Sequence, residues 1–475
     1  MAYKAVIGLE FHCEVDSLTK VFSRGRNSYN KTPNSNISAV DMAFPGTLPI
    51  LNKSCVRKAI MMSSILNCKI PDYMEFDRKN YFYPDLPKGY QLTQFFNPVG
   101  VDGYVDIDVN GINKRVFVHD IHLEEDAASL DHYYNTSTID YNRAGVPLLE
   151  LVTEPCLNSA DEAIAFLEHV RSIYQYTDIS ECDSKKGQIR CDVNVSIMAE
   201  DDTEFGTRVE VKNVNSFASI RETINYEIKR QSDLKSSGRY DEVVQETRRY
   251  DDETGTTIHM RSKADAVDYK YFTEPNIPRF KISSEFVDEI KNSIPALAGE
   301  RKEIYINSYN LSEYDAGVLV KERYIADYFE ECISYGCNPK SACNWITTRL
   351  LAELNKNETT IDDIFIRPKM INDLVNLVET KKISTDLAKK VFSVMIEEKI
   401  EPSEIVKKYN MEVIEDDNLI ESLVDEVISE NKQAVDDYHN GRTNMLDYLV
   451  GQVMKKSKGK ANPLDAKEKM IIKLQ

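Results

Sequence analysis

Short segments in which apolar and charged residues alternate constrain the fold of this chain most strongly. In residues 7–15 the odd positions are apolar, whereas Glu10, His12 and Glu14 occupy even positions. Because successive side chains of a β-strand point to opposite faces, a strand here would bury one face and project two carboxylates and an imidazole from the other. The pattern therefore predicts a sheet with one apolar face and one charged face.

Four further segments carry charged or polar residues in a similar way. These residues are Arg190, Asp192, Asn194 and Ser196; Arg208, Glu210 and Lys212; His122, Glu124, Glu125 and Asp126; and Glu150. A single strand of this kind is normally a solvent-facing sheet surface. If several of them share a sheet, acidic and basic groups meet on one surface, which suits Mg²⁺ together with nucleotide phosphates.

The usual glycine-rich phosphate loops are missing from the sequence. Neither GxxxxGK[ST] nor GxGxxG occurs, which excludes the common NTPase folds. Residues 77–91 form instead a turn-rich, aromatic and basic segment. We interpret it either as a proline-braced connection packed by its tyrosines or as a functional loop.

Two helices are predicted between the alternating segments. Ser159 followed by Glu162 is a capping-box pattern, and Phe217, Ile220 and Ile224 recur at helical spacing. The cysteines on the strands share the apolar positions, so we interpret them as core residues. The predicted fold class of this part is α+β, with an antiparallel or mixed sheet that helices cover on its apolar side.

The pattern changes to a helical period beyond about Pro295, and a second break falls between Pro402 and Asp417. Residues 419–435 and 444–454 are predicted as helices. The last 25 residues are rich in lysine, which charge alone would attribute to a solvated tail. The net charge of −19 means that any contact with RNA must be a local patch.

Composition indicates a globular protein of the cytoplasm. No apolar stretch approaches the roughly 18 residues of a membrane span, and the N-terminus has no signal-peptide pattern. The nine cysteines are scattered and form no CxxC pair, so the sequence predicts reduced thiols without a disulfide framework or zinc ribbon.

A series of motifs runs through the chain almost from end to end, at residues 8–12, 45–49, 78–91, 122–127, 140–150, 190–196, 210–216, 260–263, 268–269 and 448–463. In these motifs the chain resembles the GatB family, the B subunits of aspartyl/glutamyl-tRNA amidotransferases.

The resemblance implies three domains: a cradle with the active site (residues 1–294), an all-α helical domain (295–405) and a small helical tail similar to YqeY proteins (406–475) that contacts tRNA. It also implies that ATP and Mg²⁺ phosphorylate the side-chain carboxylate of Glu misacylated on tRNA-Gln, or of Asp on tRNA-Asn. Ammonia from a glutaminase subunit then gives the amide. The expected partners are a GatA-like amidase, a GatC-like small subunit and the misacylated tRNA, with no membrane.

The resemblance also suggests roles for individual residues. Metal ligands would be Glu10, His12, Glu125 and Glu150, with Glu124 and Asp192 as direct or water-mediated ligands. Since imidazole is an unusual ligand for Mg²⁺, Mn²⁺ could serve as well. The residues suggested for nucleotide, phosphate or carboxylate contacts are Lys79, Lys88, Arg190, Asn194 and Lys212, and those suggested for the channel or for substrate positioning are Tyr81 and Glu210.

The chain departs from the family pattern at several positions. Ser23, Gly25, Ser38 and Asp41 stand where many relatives carry two cysteine pairs for zinc, so we predict no zinc. Ser184-Lys185-Lys186 reverses the charge of a stretch that is usually acidic in relatives. The remaining departures are Cys156 for a usual Asp, Ala264 for a usual Glu and Lys270 for a usual Arg.

Two other interpretations are left open. The departures motivate one of them, a non-catalytic paralogue that binds tRNA or the partner subunits. The other is a metal-dependent kinase that acts on the carboxylate of a free small molecule.

Overall fold

The alternating segments form strands of one sheet in a computed structural model of the chain. The structure describes residues 3–199, 201–214, 216–262, 268–413, 417–457 and 460–474. The strands of these residues are β1 Tyr3–Glu14, β2 Tyr73–Met74, β3 Asp77–Asn80, β4 Tyr90–Thr93, β5 Gly100–Val109, β6 Ile112–Glu125, β7 Ser129–Tyr133, β8 Thr136–Asp140, β9 Pro147–Thr153, β10 Ile189–Ala199, β11 Val209–Val214, β12 Glu246–Asp251, β13 Thr256–Ser262, β14 Phe272–Thr273 and β15 Phe280–Lys281. Eight of them form one sheet in the order β13-β12-β11-β10-β1-β9-β6-β5.

Helices cover the apolar face of this sheet, and the described elements that follow β15 are all helices. They are α1 Lys53–Ile65, α2 Ala160–Tyr176, α3 Phe217–Ser236, α4 Ser284–Asn292, α5 Ala298–Asn307, α6 Glu313–Leu319, α7 Arg323–Ser334, α8 Pro339–Trp345, α9 Leu351–Asn357, α10 Pro368–Glu379, α11 Thr385–Glu398, α12 Pro402–Lys408, α13 Asp417–Glu430, α14 Lys432–His439, α15 Met445–Lys456 and α16 Pro463–Leu474. The predicted α+β class is confirmed.

The buried odd positions of the strands form the core between sheet and helices. Leu9, Phe11 and Cys13 of β1 lie in one hydrophobic cluster with Val193 of β10 and Phe166 of α2. Because these side chains occupy the apolar face, the even positions of the same strands are left on the opposite face. The predicted division of the sheet into an apolar and a charged side is therefore present.

The predicted N-terminus of α2 is confirmed, with Ser159 as the capping residue. The hydroxyl of Ser159 accepts a hydrogen bond from the backbone N–H of Glu162, which satisfies one of the free donors of the first turn. The Glu162 carboxylate accepts instead from the N–H of Asn158 and pairs with Lys114. The helix is thus anchored both to its own preceding loop and to β6.

Two predictions of local structure need correction. The segment predicted as a loop over residues 77–91 begins with β3 and ends within β4, and its turns lie between these strands. β3 pairs with β4 and also with β14, whose Phe272 lies opposite Arg78; local periodicity gives no sign of a partner so distant in the chain. The single helix predicted over residues 419–435 is divided at Asn431, whose backbone leaves the helical conformation and whose side-chain amide donates to the carbonyl of Val427.

The chain divides into two compact units, Met1–Leu297 and Ala298–Gln475. The second unit contains two hydrophobic clusters, one that includes Phe329 and Leu374 and one that includes Val424 and Leu449. The division into three domains at residues 294 and 405 stays a prediction. Among the described residues, no helix combines the length and the apolar character that crossing a membrane requires.

Gly206 allows β10 and the segment before β11 to approach each other closely. A Cβ atom at this position would collide with the carbonyl oxygen of Ile197 and with the hydroxyl of Tyr240. We expect Gly206→Ala to lower the free energy of unfolding of the first unit by about 1–3 kcal/mol, because the backbone must shift to admit the methyl group. Hydrogen exchange of β10 and β11 measures this loss.

A matched control is Gly299→Ala in α5, where the added methyl group meets no atom within 4 Å. This variant should be neutral or slightly stabilising, since alanine favours a helix over glycine. Equal effects of the two substitutions would contradict the close approach at Gly206.

Candidate functional site

The register of four adjacent strands aligns the charged side chains in rows across the sheet. His12 of β1 lies opposite Glu150 of β9 and Arg190 of β10, and Glu150 lies opposite His122 of β6. One step along, Glu10 lies opposite Asp192. Since paired residues of neighbouring strands share a face, these side chains project from the sheet together.

The first cluster consists of His12, Glu124 and Glu150. The Nε2 atom of His12 lies 3.2 Å from a Glu150 oxygen and 3.8 Å from a Glu124 oxygen. The three residues offer ligand atoms that all lie within 4.8 Å of one another. Two carboxylates and an imidazole at this spacing can hold one divalent cation.

His122 completes this cluster, although sequence reasoning assigned it no role. Its Nε2 lies 2.8 Å from the same Glu150 oxygen, and its Nδ1 lies 2.9 Å from Asp120. The alternation that puts Asp120, His122 and Glu124 on one face of β6 contained the signal. Glu150 is therefore flanked by two imidazoles.

Charge coupling within the cluster alters its protonation. Burial disfavours the charged imidazole of His12, but the negative charge of Glu150, and then that of Glu124, raises its pKa to about 9. The pKa of His122 is raised well above its ordinary value despite burial, also mainly by Glu150. The two imidazoles in turn hold the pKa of Glu150 well below its usual range. At neutral pH Glu150 is thus a carboxylate flanked by two imidazolium groups.

The second cluster consists of Glu10, Asp192 and Glu210, whose ligand atoms also lie within 4.8 Å of one another. The ammonium of Lys212 lies 2.5 Å from Asp192 and 2.7 Å from Glu210, and this pairing raises the pKa of Lys212 despite burial. Glu210, predicted for the channel or for substrate positioning, thus shares a cluster with two predicted metal ligands.

Asn194 lies beside the second cluster and has an unused acceptor. Its amide nitrogen donates to Glu10 at 2.9 Å, whereas its buried Oδ1 has no hydrogen-bond partner among the described residues. A buried oxygen without a donor is unfavourable unless a ligand satisfies it. The oxygen-rich donor set and this orphaned oxygen fit a hard cation or a bound substrate.

Glu125 does not join either cluster. Its carboxylate contacts the ammonium of Lys88 through both oxygens and accepts from the backbone N–H of Leu92. The strand alternation explains the difference, because Glu125 and Glu124 project from opposite faces of β6. The assignment of Glu125 as a metal ligand stays a prediction. In this structure its carboxylate forms an ion pair with Lys88.

Arg190 lies in a third charged group at the end of the same face. It donates to Asp126 at 2.6 Å, and Arg143 lies 3.2 Å from the same Asp126 oxygen. Burial, and then the charge of Asp126, raises the pKa of the neighbouring Glu14 to about 7. The guanidinium groups are the planar donors that bind phosphate and carboxylate oxygens well.

A cavity of about 550 Å³ opens beside the first cluster. Its walls include His122, Glu124, Glu150 and Lys79. The ammonium of Lys79 lies 5.0 Å from the centre of the Tyr269 ring, and no carboxylate among the described residues approaches it within 4 Å. Glu124 raises the pKa of Lys79 despite burial, so it offers a positive charge to an anionic ligand.

The departures from the family pattern at residues 184–186, 156 and 270 have defined contacts in the structure. Ser184-Lys185-Lys186 forms a short turn in which Lys186 pairs with Glu181 at 2.7 Å. Cys156 accepts a hydrogen bond from the N–H of Phe117. The carbonyl of Lys270 accepts from Asn80 at 2.7 Å. Ala264 lies outside the described residues.

The positions predicted to have lost zinc ligands hold a hydrogen-bonded group. Asp41 accepts from the N–H of Ser38 at 2.8 Å and pairs with Lys20 at 3.2 Å, and Ser23 accepts from the N–H of Gly25. Lys20 is fully buried and also donates to the carbonyl of Ala144. The prediction that no zinc binds stays a prediction.

Binding of a cation to the first cluster should depend on pH. Because a metal binds only the neutral imidazole, a cation must displace a proton from His12 at any pH below about 9. We expect the apparent affinity for Mn²⁺ to rise about tenfold for each unit of pH from neutrality and to level off above the pKa of His12. Calorimetry in buffers of different ionisation enthalpy measures the released proton.

The control for this experiment is His132→Ala, which removes an exposed imidazole of β7 that contacts the hydroxyl of Ser137 on β8. This variant should keep the pH dependence of the affinity. His12→Ala should release one proton fewer when the cation binds. An affinity that does not change with pH in the unmodified protein would contradict cation binding at His12.

Comparison with known proteins identifies the family. The model of a family described as the GatB/GatE catalytic domain matches residues 5–288, and that described as the GatB domain matches residues 327–474. The chain therefore belongs to the GatB family.

Curated relatives cover nearly the whole chain. The B subunit of the aspartyl/glutamyl-tRNA(Asn/Gln) amidotransferase of Caldicellulosiruptor bescii is 45% identical over 468 residues, which are 98% of this chain and 97% of the relative. The protein of the same name from Caldicellulosiruptor saccharolyticus is 46% identical over 468 residues, with the same coverage. That of Halalkalibacterium halodurans is 42% identical over 464 residues, which are 98% of this chain and 97% of the relative.

Proposed function

We propose that this chain is the B subunit of an aspartyl/glutamyl-tRNA(Asn/Gln) amidotransferase and that the charged sheet face is its site of carboxylate activation and amidation. The observation that carries the proposal is the cluster of His12, Glu124 and Glu150 beside the cavity that Lys79 also lines. The names of relatives that match along nearly the whole chain support the same reaction.

The reaction has two steps. An oxygen of the side-chain carboxylate of Glu on tRNA-Gln, or of Asp on tRNA-Asn, attacks the γ-phosphorus of ATP, and the bond to the β-phosphate breaks to release ADP. Ammonia then attacks the carbonyl carbon of the acyl phosphate. Phosphate leaves, the nitrogen loses a proton, and the amide remains on the tRNA.

The residues of the sheet face meet the electrostatic needs of this reaction. Phosphoryl transfer needs charge neutralisation more than covalent catalysis. Lys79 and Arg190 offer positive charge to phosphoryl and carboxylate oxygens, and Lys88 is held by Glu125. Tyr81 packs edge-on against Tyr269 next to Lys79, where it would position the substrate.

Mg²⁺, or Mn²⁺ in its place, would bind at the two carboxylate clusters and neutralise the developing charge of the phosphoryl group. His12, Glu124 and Glu150 would hold it in the first cluster, with His122 orienting Glu150. Glu10 and Asp192 would serve in the second, where Asn194 has a free oxygen for a ligand.

The chain would act within a heterotrimer. A GatA-like amidase would supply ammonia through a channel, and a GatC-like subunit would complete the assembly. The tail would contact the tRNA, although Lys456, Lys467, Lys469 and Lys473 all form ion pairs with acidic residues of the same unit. Such exposed pairs are weak, so phosphate groups can compete for these lysines.

The test is amide formation by the complete complex on Glu-tRNA-Gln and Asp-tRNA-Asn, with saturating free ammonia in place of glutamine. The unmodified complex should form Gln or Asn on the tRNA, and His12→Ala should fail although ammonia is supplied. Glu125→Ala, which frees Lys88, tests the separate charged pair. A complex that forms no amide on either tRNA, or one that consumes ATP regardless of added tRNA, would overturn the proposal.

A further inference from the structure

A continuous series of aromatic rings borders the cavity. We call these five residues, Tyr81, Tyr269, Tyr271, Phe95 and Phe96, the aromatic wall. The rings of Phe95 and Tyr271 stack in parallel with their centres 4.0 Å apart. Phe96 contacts Phe95 at 5.2 Å, Tyr269 contacts Tyr271 at 6.1 Å, and Tyr81 contacts Tyr269 at 5.9 Å.

The aromatic wall joins the candidate site to the solvent. Phe95 and Tyr271 line the same cavity as Glu124 and Glu150. At the outer end, Phe95 and Phe96 are 55% and 54% exposed. Phe95 therefore borders both the cavity of the charged cluster and the solvent.

Buried polar groups fix the backbone that carries the exposed rings. The buried carboxylate of Asp77 accepts from the backbone N–H groups of Phe95 and Phe96 at 2.8 and 2.9 Å. The side chain of Gln94 accepts from the N–H of Leu123, which precedes Glu124. Large apolar rings that the fold fixes in an exposed position next to a polar cavity mark a binding surface rather than a mobile loop.

We propose that the aromatic wall stacks the unpaired bases at the 3′ end of the tRNA and so delivers the attached amino acid to the first cluster. The proposal rests on the proposed function, which supplies an aminoacylated tRNA as substrate. Aromatic rings bind unpaired bases of any sequence through their flat faces. Lys79, beside Tyr269 and without a carboxylate within 4 Å among the described residues, lies where a backbone phosphate or the substrate carboxylate can pair with it.

The length of the wall favours this occupant over ATP. A single adenine needs one ring or two, and it would be enclosed rather than left at an open rim. Five rings in contact, ending in two half-exposed phenylalanines, match several consecutive bases of a strand that enters from outside.

The test measures binding of uncharged tRNA to the complete complex, using full-length tRNA and tRNA that lacks its last three nucleotides. For the unmodified complex, truncation should weaken binding about tenfold or more. Phe95→Ala should weaken binding of the full-length tRNA by about 5- to 100-fold and leave binding of the truncated tRNA nearly unchanged. Phe95→Tyr, which keeps the ring, should behave like the unmodified protein.

The control is Tyr134→Ala, which removes a fully exposed ring between β7 and β8 that does not line the cavity. It should leave the binding of both tRNAs unchanged. The proposal is overturned if Phe95→Ala weakens the binding of both tRNAs equally or raises only the KM for ATP. It is also overturned if size-exclusion chromatography shows that the variant prevents assembly of the complex. Because binding of uncharged tRNA requires no catalysis, failure of the proposed function would appear separately, as absence of amide.

Discussion

Glu150→Gln should lower the rate of amide formation at saturating ATP, tRNA and ammonia by about 10²- to 10³-fold. Glu150 is the carboxylate that contacts both His12 and His122, and it shares the first cluster with Glu124. Glutamine keeps the size of the side chain and one acceptor oxygen, but it removes the charge and replaces the other oxygen with a donor. Single-turnover measurement of the amide on the tRNA determines the effect.

The same substitution should change the titration of the imidazoles. Because Glu150 is the main group that raises the pKa of His12 to about 9, that pKa should fall toward its ordinary value in the variant. NMR titration of His12 follows this change independently of activity. The opposite result, an unchanged pKa together with full activity, would show that the cluster is only a polar surface of the sheet.

Asp106→Asn is the matched control for Glu150→Gln. Asp106 lies on β5 of the same sheet and pairs with Arg115 in an exposed ion pair at 2.7 Å. Exposed pairs of this kind contribute little to stability, and Asp106 does not line the cavity. The control should therefore keep amide formation within about twofold of the unmodified rate.

Lys20→Ala should lower the free energy of unfolding of the first unit by about 3–5 kcal/mol. Lys20 is fully buried, pairs with Asp41 at 3.2 Å and donates to the carbonyl of Ala144. Its loss leaves the Asp41 carboxylate buried without its cation. Since the only tryptophan, Trp345, belongs to the second unit, hydrogen exchange of β1 and β9 is the suitable measurement.

Two further variants separate the buried pair from ordinary charge effects. Lys69→Ala breaks an exposed pair with Asp102 at 2.9 Å and should cost about 0–1 kcal/mol. The double substitution of Lys20→Met with Asp41→Leu should recover much of the loss, because it leaves no unpaired buried charge. A Lys20→Ala variant as stable as Lys69→Ala would contradict the structural role of the buried pair.

Local alternation was sufficient to predict the charged face of the sheet. Glu10, His12 and Asp192 project from it as the period of two requires, because side-chain direction in a strand is set by neighbouring residues alone. The same period places His122 on this face as well. It places Glu125 on the opposite face. Family resemblance, by contrast, suggested roles without giving side-chain direction.

Contacts distant in the chain could not be predicted in this way. The position of β1 between β9 and β10, the pairing of β3 with β14 and the parallel pairing of β11 with β12 depend on packing of the whole unit. The buried pair of Lys20 and Asp41 is equally hidden, because a lysine in a loop is normally exposed.

In the proposed function, the charged sheet face transfers a phosphoryl group to the side-chain carboxylate of the amino acid on the tRNA. The most direct measurement uses Glu-tRNA-Gln or Asp-tRNA-Asn with ¹⁸O in that carboxylate and follows the label by mass spectrometry. The unmodified complex should place one ¹⁸O atom in the released phosphate for each amide formed, and His12→Ala should release none at saturating ammonia. Amide formation with unlabelled phosphate, or equal label transfer by His12→Ala, would contradict the claim.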